Sequence, residues 1–133
     1  SNNKLTSLEF GPETISGDFK CSDNILTSLE FGPKKVDGDF DCDFNKLTSL
    51  EHCPETINGY FSCSCNKLTS LKYCPKTVEG DFYCSDNQLT SLEHCPNYVG
   101  EMFFCHHNNW TNPIPYDIVQ FDWLFNAADM GVM

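Results

Sequence analysis

The chain has 133 residues, 40% of them hydrophobic, with 19 acidic against 8 basic side chains and a formal net charge of −11 at pH 7. That length holds one domain. The charge excludes nucleic acid and anionic membranes as partners held by bulk electrostatics, and no apolar run reaches the roughly 20 residues that cross a bilayer. An acidic, solvated surface is the plain consequence, and imitation of nucleic-acid charge is the sharper alternative.

The first coil sets a rhythm that the next four repeat. Leu-Thr-Ser-Leu starts at Leu5 and returns at Leu26, Leu47, Leu68 and Leu89, 21 residues apart each time. Cysteine keeps the same step at Cys21, Cys42, Cys63, Cys84 and Cys105, and so does phenylalanine at Phe19, Phe40, Phe61, Phe82 and Phe103. Asparagine recurs from Asn3 through Asn24, Asn45, Asn66 and Asn87 to Asn108, and proline recurs at Pro12, Pro33, Pro54, Pro75 and Pro96. A fixed step of about 20 to 50 residues without insertions marks a solenoid, one coil per repeat. The chain opens without Met and inside a coil, as expected of a fragment or of a chain whose N-terminus has been removed.

Within a coil the order is strand, turn, return path. Phe19 and Cys21 are two apart, so in a strand both turn inward. Asn24 ends the strand, where its amide can satisfy backbone groups at the bend. Leu26 and Leu29 point back into the core, Pro33 stiffens the return path, Val36 refills the core and Gly38 permits the re-entry. Proline and glycine interrupt every coil, so the repeats are expected to hold no helix.

The unit Phe-x-Cys-x-x-Asn-x-Leu-Thr-Ser-Leu resembles the leucine-rich repeat, with Phe19 and Cys21 at its strand positions, Asn24 as its asparagine and Leu26 after it. The likeness covers about residues 3 to 109. In wording it is most similar to short repeats of bacteriophage, large-virus and bacterial proteins, which implies a host-directed or virion role. It departs from the common family in using cysteine where leucine or valine is usual. The fold expected is all-β: a leucine-rich-repeat solenoid with short parallel strands, of about five coils over 1–109, followed by a C-terminal cap over 110–133.

After Asn108 the rhythm stops. Pro115 suits the first turn of a helix, and Ile114, Ile118, Phe121 and Phe125 follow at helical spacing. A short helix near 115–128 is expected to cover the last coil, with Trp110, Trp123 and Leu124 packed in the cap. The first coil is expected to be bare unless another chain or preceding residues cover it.

Nine cysteines raise the question of disulfides. Cysteines one coil apart would sit on neighbouring parallel strands about 4.8 Å apart and point the same way, whereas a disulfide needs Cβ atoms about 3.8 Å apart and facing. A column of buried, reduced thiols is expected, which favours a reducing compartment such as the cytoplasm. Cys53, Cys74 and Cys95 form a second column, preceded by an aromatic column of Phe10, Phe31, His52, Tyr73 and His94. Zinc needs three or four ligands converging on one point, and one column cannot supply them. His106 and His107, as strand neighbours, are expected to face opposite sides.

Positions that vary between coils while their neighbours stay fixed are free to serve recognition. Three outward columns do so: Asp18, Asp39, Tyr60, Asp81, Met102; then Lys20, Asp41, Ser62, Tyr83, Phe104; then Ser22, Asp43, Ser64, Ser85, His106. The next position reads Asp23, Phe44, Cys65, Asp86, His107. The early end is acidic and the late end aromatic. The candidate partner-binding residues are Asp39, Asp41, Asp43, Tyr60, Tyr83, Met102, Phe104 and His106, since exposed aromatics with a charged flank suit a protein partner. The blander alternative for Met102 and Phe104 is cover by the cap. Asp39, Asp41 and Asp43 on one face also suggest weak calcium binding. No activating base or oxyanion donor accompanies them, so no catalytic, cofactor or metal site is expected. A threonine column from Thr6 to Thr90 lies on the turn, outside any Thr-x-Thr strand of the ice-binding kind. Non-enzymatic protein recognition through the strand face is the function expected. The alternative is a structural or assembly subunit that self-associates through its N-terminal coil.

Overall fold

The computed structural model describes residues 4–9 and 11–109, and these form a helix-free solenoid built only of parallel strands. Each coil contributes two strands of two residues. In chain order they are β1 (Thr14–Ile15) and β2 (Phe19–Lys20), β3 (Lys35–Val36) and β4 (Phe40–Asp41), β5 (Thr56–Ile57) and β6 (Phe61–Ser62), β7 (Thr77–Val78) and β8 (Phe82–Tyr83), β9 (Tyr98–Val99) and β10 (Phe103–Phe104). The odd strands make one five-stranded sheet and the even strands another. From β2 to β10 the chain completes about four turns. The expected capping helix near 115–128, with Trp110, Trp123 and Leu124, lies outside the described residues, as does Phe10.

The register is the sequence repeat made physical. Phe19 pairs with Phe40, Phe40 with Phe61, and Phe61 with Phe82. The even-strand ladder runs past its two-residue cores: the N–H groups of Phe19, Cys21 and Asp23 donate to the carbonyls of Asp39, Asp41 and Asp43 at 2.7, 2.8 and 3.0 Å. The odd-strand sheet goes beyond the single strand per coil that the sequence predicts. It arises because Ile15, Val36, Ile57, Val78 and Val99 stack on one another just before the re-entry turn, and β-branched residues suit a pleated, half-buried surface.

Inside, like stacks on like. Phe40, Phe61, Phe82 and Phe103 are fully buried, with successive ring centroids 5.4, 5.5 and 5.0 Å apart. Such pairs add about 0.5–1.5 kcal/mol each beyond their burial. Leu26, Leu29 and their equivalents through Leu89 and Leu92 close the core from the turn side. All nine cysteines are free thiols, and the column from Cys21 to Cys105 is buried. Cys42 and Cys63 donate weak S–H bonds to the carbonyls of Ser62 and Tyr83, at 3.3 and 3.4 Å.

The asparagines join the coils. Asn45 Oδ1 accepts the N–H of Leu26 in the preceding coil at 3.0 Å. Its Nδ2 donates to the carbonyls of Cys21, Cys42 and Asp43 at 3.0, 3.1 and 3.2 Å. Asn66 and Asn87 repeat the pattern. The serine of each Leu-Thr-Ser-Leu acts locally. Ser28 Oγ accepts the N–H of Glu30 at 2.9 Å, and Ser49 Oγ that of Glu51 at 3.0 Å. Lys76 and Glu55, one coil apart, meet at 3.7 Å with both side chains exposed, a geometry of small energetic value.

Two columns of non-glycine residues have left-handed backbones. Phe31, His52, Tyr73 and His94 have φ of 69°, 79°, 70° and 69°. Asp23, Phe44, Cys65, Asp86 and His107 lie between 55° and 58°. The sequence predicts a stacked aromatic column for the first set. The left-handed turn instead carries these side chains to the exposed surface, and no ring stack joins them among the described residues.

Candidate functional site

The outward side of the even-strand sheet holds all eight candidate residues, because alternation turns every second strand residue away from the core. They divide by what they touch. Asp39 belongs to the scaffold: its Oδ1 accepts the N–H of Tyr60 at 2.9 Å, as Asp18 accepts that of Asp39 at 2.8 Å and Asp81 that of Met102 at 2.9 Å. These aspartates tie one coil to the backbone of the next, which explains why that column is mostly aspartate. One carboxylate oxygen of Asp18, Asp39 and Asp81 is therefore engaged by the fold itself.

Asp41, Asp43, Tyr60 and Tyr83 surround a depression of about 260 Å³ with Ser62 as its fifth lining residue. The local cause is residue size. Along the middle column a serine stands between Asp41 and Tyr83, so the surface dips at Ser62, which is itself only 3% exposed. Ser62 Oγ donates to Asp43 Oδ1 at 2.5 Å, and the N–H of Ser64 donates to the same oxygen at 2.7 Å. Asp41 Oδ1 accepts the N–H of Asp43 at 3.0 Å, and its Oδ2 lies 3.4 Å from the Tyr60 hydroxyl. The Tyr83 hydroxyl donates to Asp81 Oδ2 at 2.9 Å.

These contacts set the electrostatics. Burial pushes the Asp43 carboxyl up to about 6, with the charge of Asp41 adding to the rise and the bonds from Ser62 and Ser64 opposing it. Burial, reinforced by the neighbouring aspartates, pushes both phenols up to about 12, so Tyr60 and Tyr83 remain hydroxyl donors at neutral pH. No basic side chain lies within ion-pair distance of Asp41 or Asp43 among the described residues.

The aromatic part of the face is continuous. Tyr60 meets Tyr83 edge-on with centroids 5.8 Å apart, and Tyr83 stacks on Phe104 at 4.8 Å with the rings 5° from parallel. Lys20, to which its column alone gives no role, holds Nζ 5.9 Å from the centre of the Tyr60 ring, inside the roughly 6 Å reach of a cation–π contact. Met102 is 43% exposed and Phe104 half-buried at the late end. His106 lies beyond them, with Nδ1 3.5 Å from Ser85 Oγ. The expectation that His106 and His107 face opposite sides is overturned: their rings meet at 4.9 Å, because His107 occupies a left-handed turn (φ 58°) and is no longer in the strand. His107 Nδ1 in turn lies 3.1 Å from Asp86.

Ser62 lines the depression, though nothing in the sequence alone singles it out. Its signal is a small residue between bulky ones in an outward column, readable only once the structure aligns the columns. For the thiols, burial pushes Cys21 and Cys105 up to about 12 and Cys42, Cys63 and Cys84 well above the usual value, which keeps them protonated and poorly nucleophilic. Among the described residues no three His, Cys, Asp or Glu side chains gather where a metal ion could sit. Compared with protein-family models, curated proteins and solved structures, the chain matches none.

Proposed function

We propose that this chain is a non-enzymatic protein-recognition module whose binding surface is the outward side of the even-strand sheet. The observation that carries this reading is the coincidence of a continuous aromatic row, Tyr60–Tyr83–Phe104, with a depression flanked by carboxylates. Aromatic side chains beside a pocket are the usual energetic centre of a protein interface. The leucine-rich-repeat assignment belongs to the same proposal and is supported by the asparagine ladder beside the parallel even-strand sheet. So does a reducing compartment, in which buried free thiols persist.

The test is binding to a captured partner by wild type, Tyr60→Ala and Tyr83→Ala, with circular dichroism confirming the fold. Weaker binding by either variant supports the face; unchanged affinity for both removes it. A second reading, assembly through the N-terminal coil, is favoured by an apolar hollow of about 240 Å³ lined by Leu5, Leu8, Phe19, Phe31 and Pro33 among others. Light scattering over a concentration series separates the two. A constant monomer mass favours recognition, and a mass that grows with concentration favours assembly.

A further inference from the structure

The polar groups left open in the depression over Ser62 say what kind of group would enter it. Asp43 Oδ1 is occupied by Ser62 and Ser64, while its Oδ2 accepts no hydrogen bond among the described residues. Each Asp41 oxygen has one donor, and the Tyr60 contact is long at 3.4 Å. The tyrosine and serine hydrogens already point at carboxylates. What remains is therefore a set of acceptors, two of them carboxylates that repel each other and have no basic side chain within ion-pair distance among the described residues. A neutral apolar occupant would bury these acceptors without partners, at a cost. A cation would satisfy them and relieve the repulsion. The face already holds one example: Lys20 Nζ stands over the Tyr60 ring.

We propose that this depression is a socket for a cationic side chain, lysine or arginine, presented by a partner protein. The inference rests on the recognition reading above and specifies its partner chemistry. The cation sits among Asp41, Asp43 and the Tyr60 and Tyr83 rings, with Ser62 as the floor. Its aliphatic stem lies against the aromatic row, as long basic side chains prefer.

The test is selection of random-sequence peptides on the wild-type chain, followed by affinity measurements on three variants. Ser62→Tyr fills the socket with a residue the same column already carries at Tyr83. Asp41→Asn keeps its shape and removes a charge. Glu30→Gln removes an equal charge from an exposed turn. Selected peptides should contain lysine or arginine and lose roughly tenfold or more in affinity to Ser62→Tyr and Asp41→Asn but not to Glu30→Gln, since a hydrogen bond to a charged group is worth about that factor. Binding should also weaken as the pH falls below about 6, where Asp43 takes up its proton. Peptides that lack basic residues yet depend on Ser62 would overturn the cation and leave the recognition face standing. Equal losses in all three variants would mean only bulk attraction to an acidic chain and would also overturn the socket. Peptides indifferent to Ser62→Tyr and Asp41→Asn would overturn the socket, and the recognition face with it if Tyr60→Ala and Tyr83→Ala also leave them unaffected.

Discussion

Replacing Asn66 by alanine is the sharpest test of how the coils are held together. Asn66 Oδ1 accepts the N–H of Leu47 at 2.9 Å, and its Nδ2 donates to the carbonyls of Cys42, Cys63 and Ser64 at 3.1, 3.1 and 3.2 Å. Leu47 is fully buried, so its N–H would be left without water or protein partner. An orphaned buried donor costs about 1–3 kcal/mol. The carbonyls suffer less: Cys42 keeps Asn45 and Cys63 keeps Asn87. With the weakened carbonyl bonds the total comes to about 2–4 kcal/mol. Asn24 provides the internal control. Among the described residues it donates to Cys21 and Ser22 alone, and the N–H it accepts belongs to Leu5, which is 47% exposed and can turn to water. Asn24→Ala should therefore cost about 0.5–1.5 kcal/mol. Urea unfolding followed by both circular dichroism and fluorescence would give the two midpoints and slopes, and would expose any loss of cooperativity expected in a linear array. Equal costs for Asn24→Ala and Asn66→Ala would refute the ladder as the link between coils.

Three further outcomes follow from particular residues. Asp43 has a folded value of about 6 against about 4 in an unfolded chain, so between these limits the folded state holds more protons and this group's contribution to stability falls as pH rises, then levels off. Asp43→Asn should remove that slope in urea midpoints taken across the window, and an unchanged slope would assign it elsewhere. Gly59→Ala would place a Cβ 2.9 Å from backbone atoms of Asp39 and Gly38 and against the Asp39 carboxylate; the coils must part there, at a cost of about 1–3 kcal/mol by thermal denaturation. In native alkylation read by mass spectrometry, the partly exposed Cys65 should react well before the buried column Cys42, Cys63 and Cys84; simultaneous labelling would contradict the protected core.

The solenoid is legible in the sequence because its period is exact to the residue. Phe19, Cys21, Leu26, Leu29 and Val36 each recur in place, and a position that keeps its character over successive coils reports the core directly. The second sheet is not legible, since two residues such as Lys35–Val36 carry too little alternation to announce a strand. Nor are the left-handed turns, because Phe31, Phe44 and Tyr73 share those columns and are not residues that advertise positive φ. At the candidate site the charge and aromatic character of the face can be read from the columns. The division of labour within it cannot: Asp39 and Asp41 look alike in sequence, yet one binds the next coil's backbone and the other rims the depression. That difference depends on which backbone N–H each carboxylate meets, a matter of three-dimensional placement.

The constant 21-residue register makes the molecule a ruler. Because every coil contacts its neighbours through the same offsets, one complete unit could be duplicated between Asp43 and Tyr60 without disturbing the seams on either side. The acidic and aromatic ends would then move apart by one strand spacing, about 4.8 Å, while each kept its own geometry. Distance between two binding elements is thus a quantity this architecture can change in whole steps, by counting repeats, with no alteration to the elements themselves.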